Sequence, residues 1–291
     1  MPVRYALFCA NPLDPRTVEP DFAQEVGPAR DHGFAPLRLN HDDLDLREDA
    51  DAALRKARFE APGEAVYRGW MLRAEAYAAL YRALGSRGVE LLTTPAEYTS
   101  CHHAPDSYAA LAEWMPRTAW LERADLDDHA RRRALLAAFQ GQPLVIKDWV
   151  KSQAGYWREA CYIPDASDAQ AVERVTRRFR ELQDDSLVGG IVFKAYVPLL
   201  PVGEPAHEWR AFMAHGRVAG CWPRSEAAKT LGAPPDALLV AVAARVPSPF
   251  ASADFGRDAN GRWWLLEVGG GQVSGLPDSE AATAIFKELS A

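Results

Sequence analysis

The chain has 291 residues, of which 48% are hydrophobic and 25% are charged. This length accommodates one large domain or two of ordinary size, and the apolar fraction excludes a disordered, collagen-like or low-complexity chain. The formal net charge of −7 argues against a broad basic surface for nucleic acid or an anionic membrane, although a local basic groove is compatible with it.

The sequence contains no membrane-spanning or secretory pattern. No stretch approaches the ~20 consecutive apolar residues of a spanning helix, and the opening segment, MPVRYALFCANPLD, is too soon interrupted for a secretory signal. We therefore expect a cytoplasmic protein without membrane contact. The four cysteines are far apart, and this spacing predicts buried free thiols instead of a disulfide framework or a zinc knuckle: Cys9, Cys101, Cys161 and Cys221.

The first hundred residues alternate between predicted strands and helices. Apolar segments rich in strand-forming residues lie at 3–10, 35–40, 64–69 and 89–94. Residues 22–32 and 75–88 have the apolar spacing of helices, and glycines mark where they end. This alternation predicts a parallel α/β sheet.

The pattern changes near residue 120. The charged segment 123–139 predicts a helix, residues 143–150 and 158–164 predict two strands joined by a short turn, and residues 168–183 predict a long amphipathic helix. Further apolar segments and a final helix complete a sheet-rich α+β half: 189–200, 207–222, 238–246, 250–269 and 279–290. The predicted fold class is therefore α/β followed by α+β.

The strongest local signal is a pair of carboxylates on a predicted hairpin. The Asn260-Gly261 dipeptide is typical of a turn between two apolar strands. Such a hairpin would bring Asp254 near Glu267, and two carboxylates in apolar surroundings favour a bound cation such as Mg²⁺. Alternatively, Asp254 caps a turn and Glu267 forms a surface ion pair with a nearby arginine.

Lysines at the end of an apolar strand give the second signal. Lys147 ends the strand-like segment VIKDWV, and Lys151 follows in a polar turn. Lysine ammonium groups and turn amides suit a phosphate, although Lys147 could instead extend to solvent.

Two further basic residues lie within apolar segments. Arg210 lies between Trp209 and Phe212, where its guanidinium needs a phosphate or a carboxylate, or else a structural acid such as Glu208, as partner. Lys194 begins a Pro-interrupted segment that is either a hinge or an edge strand.

Three other patterns carry less weight. Cys101-His102-His103 is no tetrahedral zinc site without distant ligands, and Gly269-Gly270-Gly271 lacks the dinucleotide-binding spacing. The arginine clusters at 131–133 and 177–178 are explained by solvated helix faces, or they contribute to a basic groove.

Taken in order, these signals resemble the ATP-grasp superfamily. The likeness extends over nearly the whole chain, and the segments YRGWM, KDWVKS, EWRAF and LEVGGGQVSGLP are similar to the clade named for one arginine and two lysines. We assign these to Arg210, Lys147 and Lys151. The resemblance implies a small N-terminal α/β domain over 1–118 and an ATP-grasp catalytic domain over 119–291, with subdomains 119–192 and 193–291.

The resemblance also implies ATP and Mg²⁺ as cofactors. Basic side chains would contact the nucleotide, and the hinge would contact adenine through its backbone. The residues expected to bind ATP are Lys147, Lys151, Lys194, Ala195, Tyr196, Val197, Arg210 and Arg224. Arg210 and Lys151 would also act in catalysis. Asp254 and Glu267 would hold Mg²⁺. The family often has Asn two residues after the metal-binding Glu, whereas this sequence has Gly269, so that Gln272 or water would substitute.

The expected reaction is ATP-dependent activation of a carboxylate as an acyl phosphate, with release of ADP and attack by an amine. Candidates for contacting a small-molecule or peptide substrate are Arg68, Tyr98, His102, His103, Arg257 and Ser274. A second hypothesis is an RNA ligase of RNA repair that acts by adenylyl transfer, with Arg224 and the arginine-rich helices along the RNA path. A third is a nucleotide-binding module without turnover.

Overall fold

The computed structural model describes residues 3–202 and 206–291. The strands of these described residues are β1 Val3–Cys9, β2 Phe34–Leu39, β3 Gly63–Arg68, β4 Val89–Leu91, β5 Thr118–Glu122, β6 Leu144–Asp148, β7 Tyr162–Ile163, β8 Gly190–Ala195, β9 Glu208–Ala214, β10 Arg217–Pro223, β11 Phe250–Arg257 and β12 Trp263–Gly270. The α-helices are α1 Pro20–Ala23, α2 Val26–Asp31, α3 His41–Asp45, α4 Ala50–Leu54, α5 Ala74–Gly85, α6 Pro95–His102, α7 Ala104–Leu111, α8 His129–Leu136, α9 Ala169–Gln183, α10 Asp236–Ala243 and α11 Ser279–Leu289.

The chain forms two compact units that are discontinuous in sequence. Unit 1 contains residues up to Cys101 together with Trp209–Asp254 and Val268–Ala291. Unit 2 contains His102–Glu208 and Phe255–Glu267. The domain boundaries expected at residues 118 and 192 stay predictions.

A parallel sheet with the order β2-β1-β3-β4 lies in unit 1. Strand β1 is buried from Tyr5 to Cys9 without alternation, as expected for a strand covered on both faces. Tyr5 and Leu7 belong to one apolar core with α5, whereas Phe8 belongs to a second core that includes Phe212 and Phe286. The parallel α/β sheet predicted for the first hundred residues is confirmed.

Two further sheets have the orders β10-β9-β11-β12 and β5-β8-β6-β7. Antiparallel pairs are formed by β9 with β10 and by β8 with both β5 and β6. Helix α9 covers the second of these sheets through Val172, Val175 and Phe179, because these residues recur on one helical face. The fold class expected from the sequence, α/β followed by α+β, is therefore confirmed.

Several sequence-based assignments were wrong in part. The helix expected over 22–32 is divided into α1 and α2, and the helix expected over 123–139 is α-helical only at His129–Leu136. Residues 158–164 were expected to be a strand, but Trp157–Cys161 form a single turn of π-helix and only Tyr162–Ile163 pair with β6. The apolar segment 238–246, to which the sequence assigned no element type, contains the end of helix α10. A uniformly apolar segment has no hydrophobic periodicity, so its sequence does not distinguish a strand from a buried helix.

None of the described helices combines the length and apolar character needed to cross a membrane.

The turn of the predicted hairpin is organised by one carboxylate. Gly261 has φ of +86°, which glycine adopts without strain. The Asp258 side chain accepts hydrogen bonds from the Asn260 and Arg262 backbone amides at 2.9 and 3.0 Å and from the Trp264 indole at 3.0 Å. The hairpin between β11 and β12 is thus confirmed, and its turn depends on Asp258.

We expect Asp258→Ala to lower the free energy of unfolding by about 1.5–3 kcal/mol, because three donors lose a charged acceptor. Burial raises the pKa of Asp258, but these hydrogen bonds outweigh it and the pKa is lowered. The stabilisation is therefore present at neutral pH and is lost as the pH falls through the folded-state pKa. Urea denaturation measures the effect. Equal stability of Asp258→Ala and the wild type would contradict this role.

Candidate active site

Unit 2 contains a cluster of two lysines and a carboxylate. Val145 on β6 pairs with Lys194 on β8, and Lys147 lies two residues further along β6, so both lysines share one face of the sheet. Lys147 Nζ donates to Glu267 Oε1 at 2.5 Å, and Lys194 Nζ donates to the carbonyl of Leu266. The strand register thus brings together Lys147, Lys194 and Glu267.

Lys194 is held in an environment that disfavours its charge. Burial, followed by the nearby Lys147 ammonium, lowers the pKa of Lys194 from 10.5 to about 8, although Glu267 acts in the opposite direction. A cation kept in such a site binds an incoming anion strongly, because water screens the attraction weakly there. The sequence analysis placed Lys194 in a hinge or an edge strand and predicted nucleotide contact for it, but it did not predict that Lys194 lies near Lys147.

Replacing Lys194 with methionine is expected to stabilise the ligand-free protein. The folded-state pKa lies below the unfolded value, so the charged form is destabilised by folding, and its removal gains about 1–3 kcal/mol below pH 8. The gain shrinks as the pH rises toward 10.5, since the wild-type lysine then loses its proton. Urea denaturation near pH 7 and near pH 10 tests this. A gain that does not depend on pH would contradict it.

A buried carboxylate shapes the turn after β6. Asp148 is 1% exposed, and its Oδ1 accepts from the backbone amides of Val150 and Lys151. Its Oδ2 accepts from Gln183 Nε2 at 2.9 Å and from Val188 N at 3.2 Å. The backbone at Lys151 is therefore fixed while its side chain is exposed. The sequence analysis missed Asp148, although an acid at the end of an apolar strand was a signal.

Residues 194–197, for which the sequence predicted a hinge, contribute to an aromatic cluster. Tyr196 lies 5.2 Å from Tyr162 and 6.1 Å from Trp157 between ring centroids. The amides of Ala195 and Tyr196 already donate to the carbonyls of Arg117 and Pro143 at 2.8 Å. Adenine recognition by backbone atoms of residues 194–197 stays a prediction.

Unit 1 contains a fork between an arginine and an aspartate. Arg210 on β9 donates from Nε and Nη2 to the two carboxylate oxygens of Asp254 on β11, each at 2.7 Å. Arg224 adds a third bond to Asp254 Oδ2 at 3.2 Å. Parallel bonds from a planar guanidinium fix a carboxylate in orientation as well as in position. The acid that pairs with Arg210 is therefore Asp254, whereas the sequence had also suggested Glu208.

A model of the ATP-grasp domain, family 3 of the clade named for one arginine and two lysines, matches residues 138–289, which is more than half of the chain. The chain belongs to this ATP-grasp family. The resemblance inferred from the sequence is thereby confirmed.

Solved structures show that the ATP-grasp fold extends over nearly the whole chain. D-cycloserine synthetase DcsG has a TM-score of 0.65 at 17% identity, covering 99% of this chain and 98% of that one. An ATP-grasp RimK domain protein from Sphaerobacter thermophilus DSM 20745 has a TM-score of 0.61 at 14% identity, covering 99% and 98%.

The ATP-grasp ligase PsnB, complexed with precursor peptide PsnA2 and AMPPNP, has a TM-score of 0.53 at 12% identity, covering 97% and 92%. A further PsnB structure contains a minimal precursor, Mg and ADP. No curated protein has a matching sequence.

The carboxylates of this ATP-grasp protein fit Mg²⁺ in their chemistry. Within residues 3–202 and 206–291, no group of three or more acidic, histidine or cysteine side chains forms a complete metal site. Mg²⁺ commonly takes one or two protein carboxylates and completes its octahedron with water and phosphate. Asp254 and Glu267 each already contact a cationic side chain, Arg210 and Lys147 respectively, which orients both carboxylates.

Two serine hydroxyls lie beside Gly269, the position at which the family often has asparagine. A Cβ atom at Gly269 would lie 3.2 Å from Ser252 Oγ and 3.6 Å from Ser274 Oγ, and the two hydroxyls are 2.6 Å apart. Gln272 donates from Nε2 to Thr93, and its buried Oε1 has no partner among the described residues. The Gln272 amide is thus engaged at one end only.

The predicted substrate residues lie in different surroundings. Arg68 is fully buried and Tyr98 hydrogen-bonds both backbone groups of Leu72. His103 lies at 3.8 Å from Asp106, and burial lowers its pKa. Arg257 donates to the Gly261 carbonyl at 3.4 Å. The substrate roles of these residues, and of His102 and Ser274, stay predictions.

The arginine-rich helices pair with local acids. Arg131 contacts Asp125 at 2.8 Å, Arg132 contacts Glu173, and Arg178 contacts Glu181 at 3.2 Å. The pairs of Arg131 and Arg178 are typical of solvated helix faces, whereas Arg132 is buried. They give no support to an RNA path.

Proposed function

We propose that this protein is an ATP- and Mg²⁺-dependent ligase that activates a carboxylate as an acyl phosphate and joins it to an amine. One observation carries the proposal. In a chain of this family, Lys147 and Lys194 lie beside the carboxylate of Glu267, and Arg210 pairs with Asp254. Both carboxylates suit a metal. Phosphoryl transfer depends on positioning and on charge neutralisation more than on a protein nucleophile. Because ATP is the co-substrate, we place the reaction in the cytoplasm.

The proposed roles follow from the charge of each group. Lys147, Lys194 and Lys151 neutralise the nucleotide phosphates, and Arg210 with Arg224 neutralises the transferred phosphoryl group and the intermediate. The hinge residues 194–197 contact adenine. Asp254 and Glu267 are the proposed Mg²⁺ ligands, and the bound ion would withdraw charge from the phosphate oxygens.

The proposed reaction has two steps. A carboxylate oxygen of the substrate attacks the γ-phosphorus, the bond between that phosphorus and the β,γ-bridging oxygen breaks, and ADP leaves. An amine then attacks the acyl carbon, phosphate leaves and the amine nitrogen releases a proton. Both steps increase charge on oxygens, which the cations named above are placed to stabilise.

Product analysis tests the proposal. Purified protein with Mg-ATP is offered, separately, a pool of amino acids and small peptides and a pool of 5′-phosphorylated RNA, and ADP and AMP are resolved. We expect ADP only with the small acids, and none with Arg210→Ala. Formation of AMP with RNA would mean adenylyl transfer, and tight ADP binding without ATP consumption would mean a binding module. Either result would overturn the proposal.

A further inference from the structure

A small pocket opens beside the Arg210–Asp254 fork, entirely within unit 1. Its volume is about 230 Å³. Arg210 and Arg224 form its polar end, and its walls are mostly apolar: Phe212, Trp222, Leu276 and Pro277. A cationic end with apolar walls suits a ligand that is anionic at one end and apolar at the other.

The indole of Trp222 forms one wall of this pocket, and neighbouring residues hold it in place. The ring meets Phe212 edge to face, with centroids 6.3 Å apart. It also lies across Gly220, where an added Cβ would approach the ring to 2.2 Å. Only glycine at position 220 lets the indole lie flat against β10. The position of the wall is therefore set by two neighbours on the same sheet.

The polar end of the pocket has donor capacity for an anion. Arg210 uses Nε and Nη2 for Asp254. Its Nη1 makes no hydrogen bond to any residue in the described part of the chain. A guanidinium matches the planar geometry of a carboxylate, and two guanidiniums meet at this end.

We propose that this pocket binds the acid substrate and selects a small carboxylate with a compact apolar body. The inference rests on the proposed function and deepens it. The carboxylate binds toward Arg210 and Arg224, and the apolar body packs against Trp222, Leu276 and Pro277. The volume corresponds to roughly eight water molecules at ~30 Å³ each. That space fits a leucine-sized or phenylpropanoate-sized acid and is too small for a nucleotide.

Calorimetric titration of the full-length protein in Mg-ADP tests this selectivity. The probes are 3-phenylpropanoate, acetate and the uncharged 3-phenylpropanamide. We expect 3-phenylpropanoate to bind at least about tenfold more tightly than either of the others, because it alone fills the apolar walls and meets the guanidiniums.

Variants assign the selectivity to this pocket. Trp222→Ala should remove the preference for 3-phenylpropanoate over acetate, and Arg224→Gln should remove the preference for the acid over the amide. Leu276→Trp, at a partly buried loop position, should block 3-phenylpropanoate by filling the space. This variant keeps the test valid if Trp222→Ala fails to fold. Trp209→Phe is the matched control, since Trp209 bonds Ala228 and does not line the pocket.

The outcomes separate this inference from the proposed function. If the wild-type protein does not bind ADP, the proposed function is wrong. If it binds ADP normally but shows no measurable 3-phenylpropanoate binding, or if selectivity is unchanged in Trp222→Ala and Leu276→Trp, only the proposed acid-binding role of the pocket is overturned. Competition between 3-phenylpropanoate and a 5′-phosphorylated RNA decamer would also overturn it, because the pocket would then be part of a nucleic-acid path.

Discussion

Lys147→Ala is expected to weaken Mg-ATP binding by about 100-fold. Lys147 lies on the same face of the sheet as Lys194, and its ammonium already contacts a carboxylate oxygen of Glu267 at 2.5 Å. Removing a charge-assisted contact to phosphate costs about 1.5–3 kcal/mol, and about 2.7 kcal/mol corresponds to a factor of about 100 in the dissociation constant. Calorimetric titration measures the affinity directly and needs no knowledge of the second substrate.

Lys229→Ala is the control for this measurement. Lys229 is exposed and pairs with Glu226 at 2.8 Å within one short helix. Its loss should leave Mg-ATP affinity unchanged, since surface pairs contribute little. The stability of Lys147→Ala should also be close to that of the wild type, because its partner Glu267 is 54% exposed and remains solvated. An unchanged dissociation constant in Lys147→Ala would remove this lysine from the nucleotide site.

The largest loss of stability is expected from Arg68→Met. Arg68 and Glu25 are both fully buried, and their side chains form two bonds of 2.6 and 2.5 Å. The remaining guanidinium hydrogens bond the carbonyls of Gly271 and Ser274, so all five donors are used. Removing Arg68 leaves the Glu25 carboxylate buried without its partner, which costs about 3–5 kcal/mol.

A second variant distinguishes the ion pair from simple packing. The double variant Glu25→Leu with Arg68→Met leaves no buried charge without a partner and should recover part of the lost stability, although the carbonyls of Gly271 and Ser274 still lack their donor. Arg16→Met is the surface control, since Arg16 is 89% exposed, its partner Asp14 is 39% exposed, and the loss of an exposed pair should leave stability nearly unchanged. Equal denaturation midpoints for Arg68→Met and Arg16→Met would contradict this account of the buried pair.

Arg68 also illustrates what sequence reasoning could not reach. The sequence analysis named it as a candidate for contacting substrate, on the basis of the family resemblance. Its partners come from an early helix connection and from the loop after β12, which are 43 and more than 200 residues away. No local pattern encodes such a contact. The geometry favours a role in holding the loop at Gly271 to Ser274.

The candidate site was predicted to the extent that its residues lie on strands. Lys147, Arg210, Asp254 and Glu267 each stand out because a charged residue interrupts an apolar strand, and the structure gives Arg210 and Asp254 one another as partners. The neighbourhood of Lys147 and Lys194 was not predicted, because the register between β6 and β8 is a tertiary property. Trp222 and the pair of Ser252 and Ser274 beside Gly269 were missed for the same reason, whereas Asp148 was missed although an acid at the end of an apolar strand was a local signal.

By itself, the sequence determined the fold class, the hairpin at Asn260-Gly261 and the family, because apolar periodicity, turn chemistry and ordered motifs act over short distances. Only the tertiary structure decided which charges are paired, that residues 157–161 form a π-helical turn, and that an apolar pocket adjoins Arg210. The ion pairs and the pocket join segments that are far apart in sequence. Burial and pairing energies are set by what surrounds a group after folding, and a linear pattern does not contain that information.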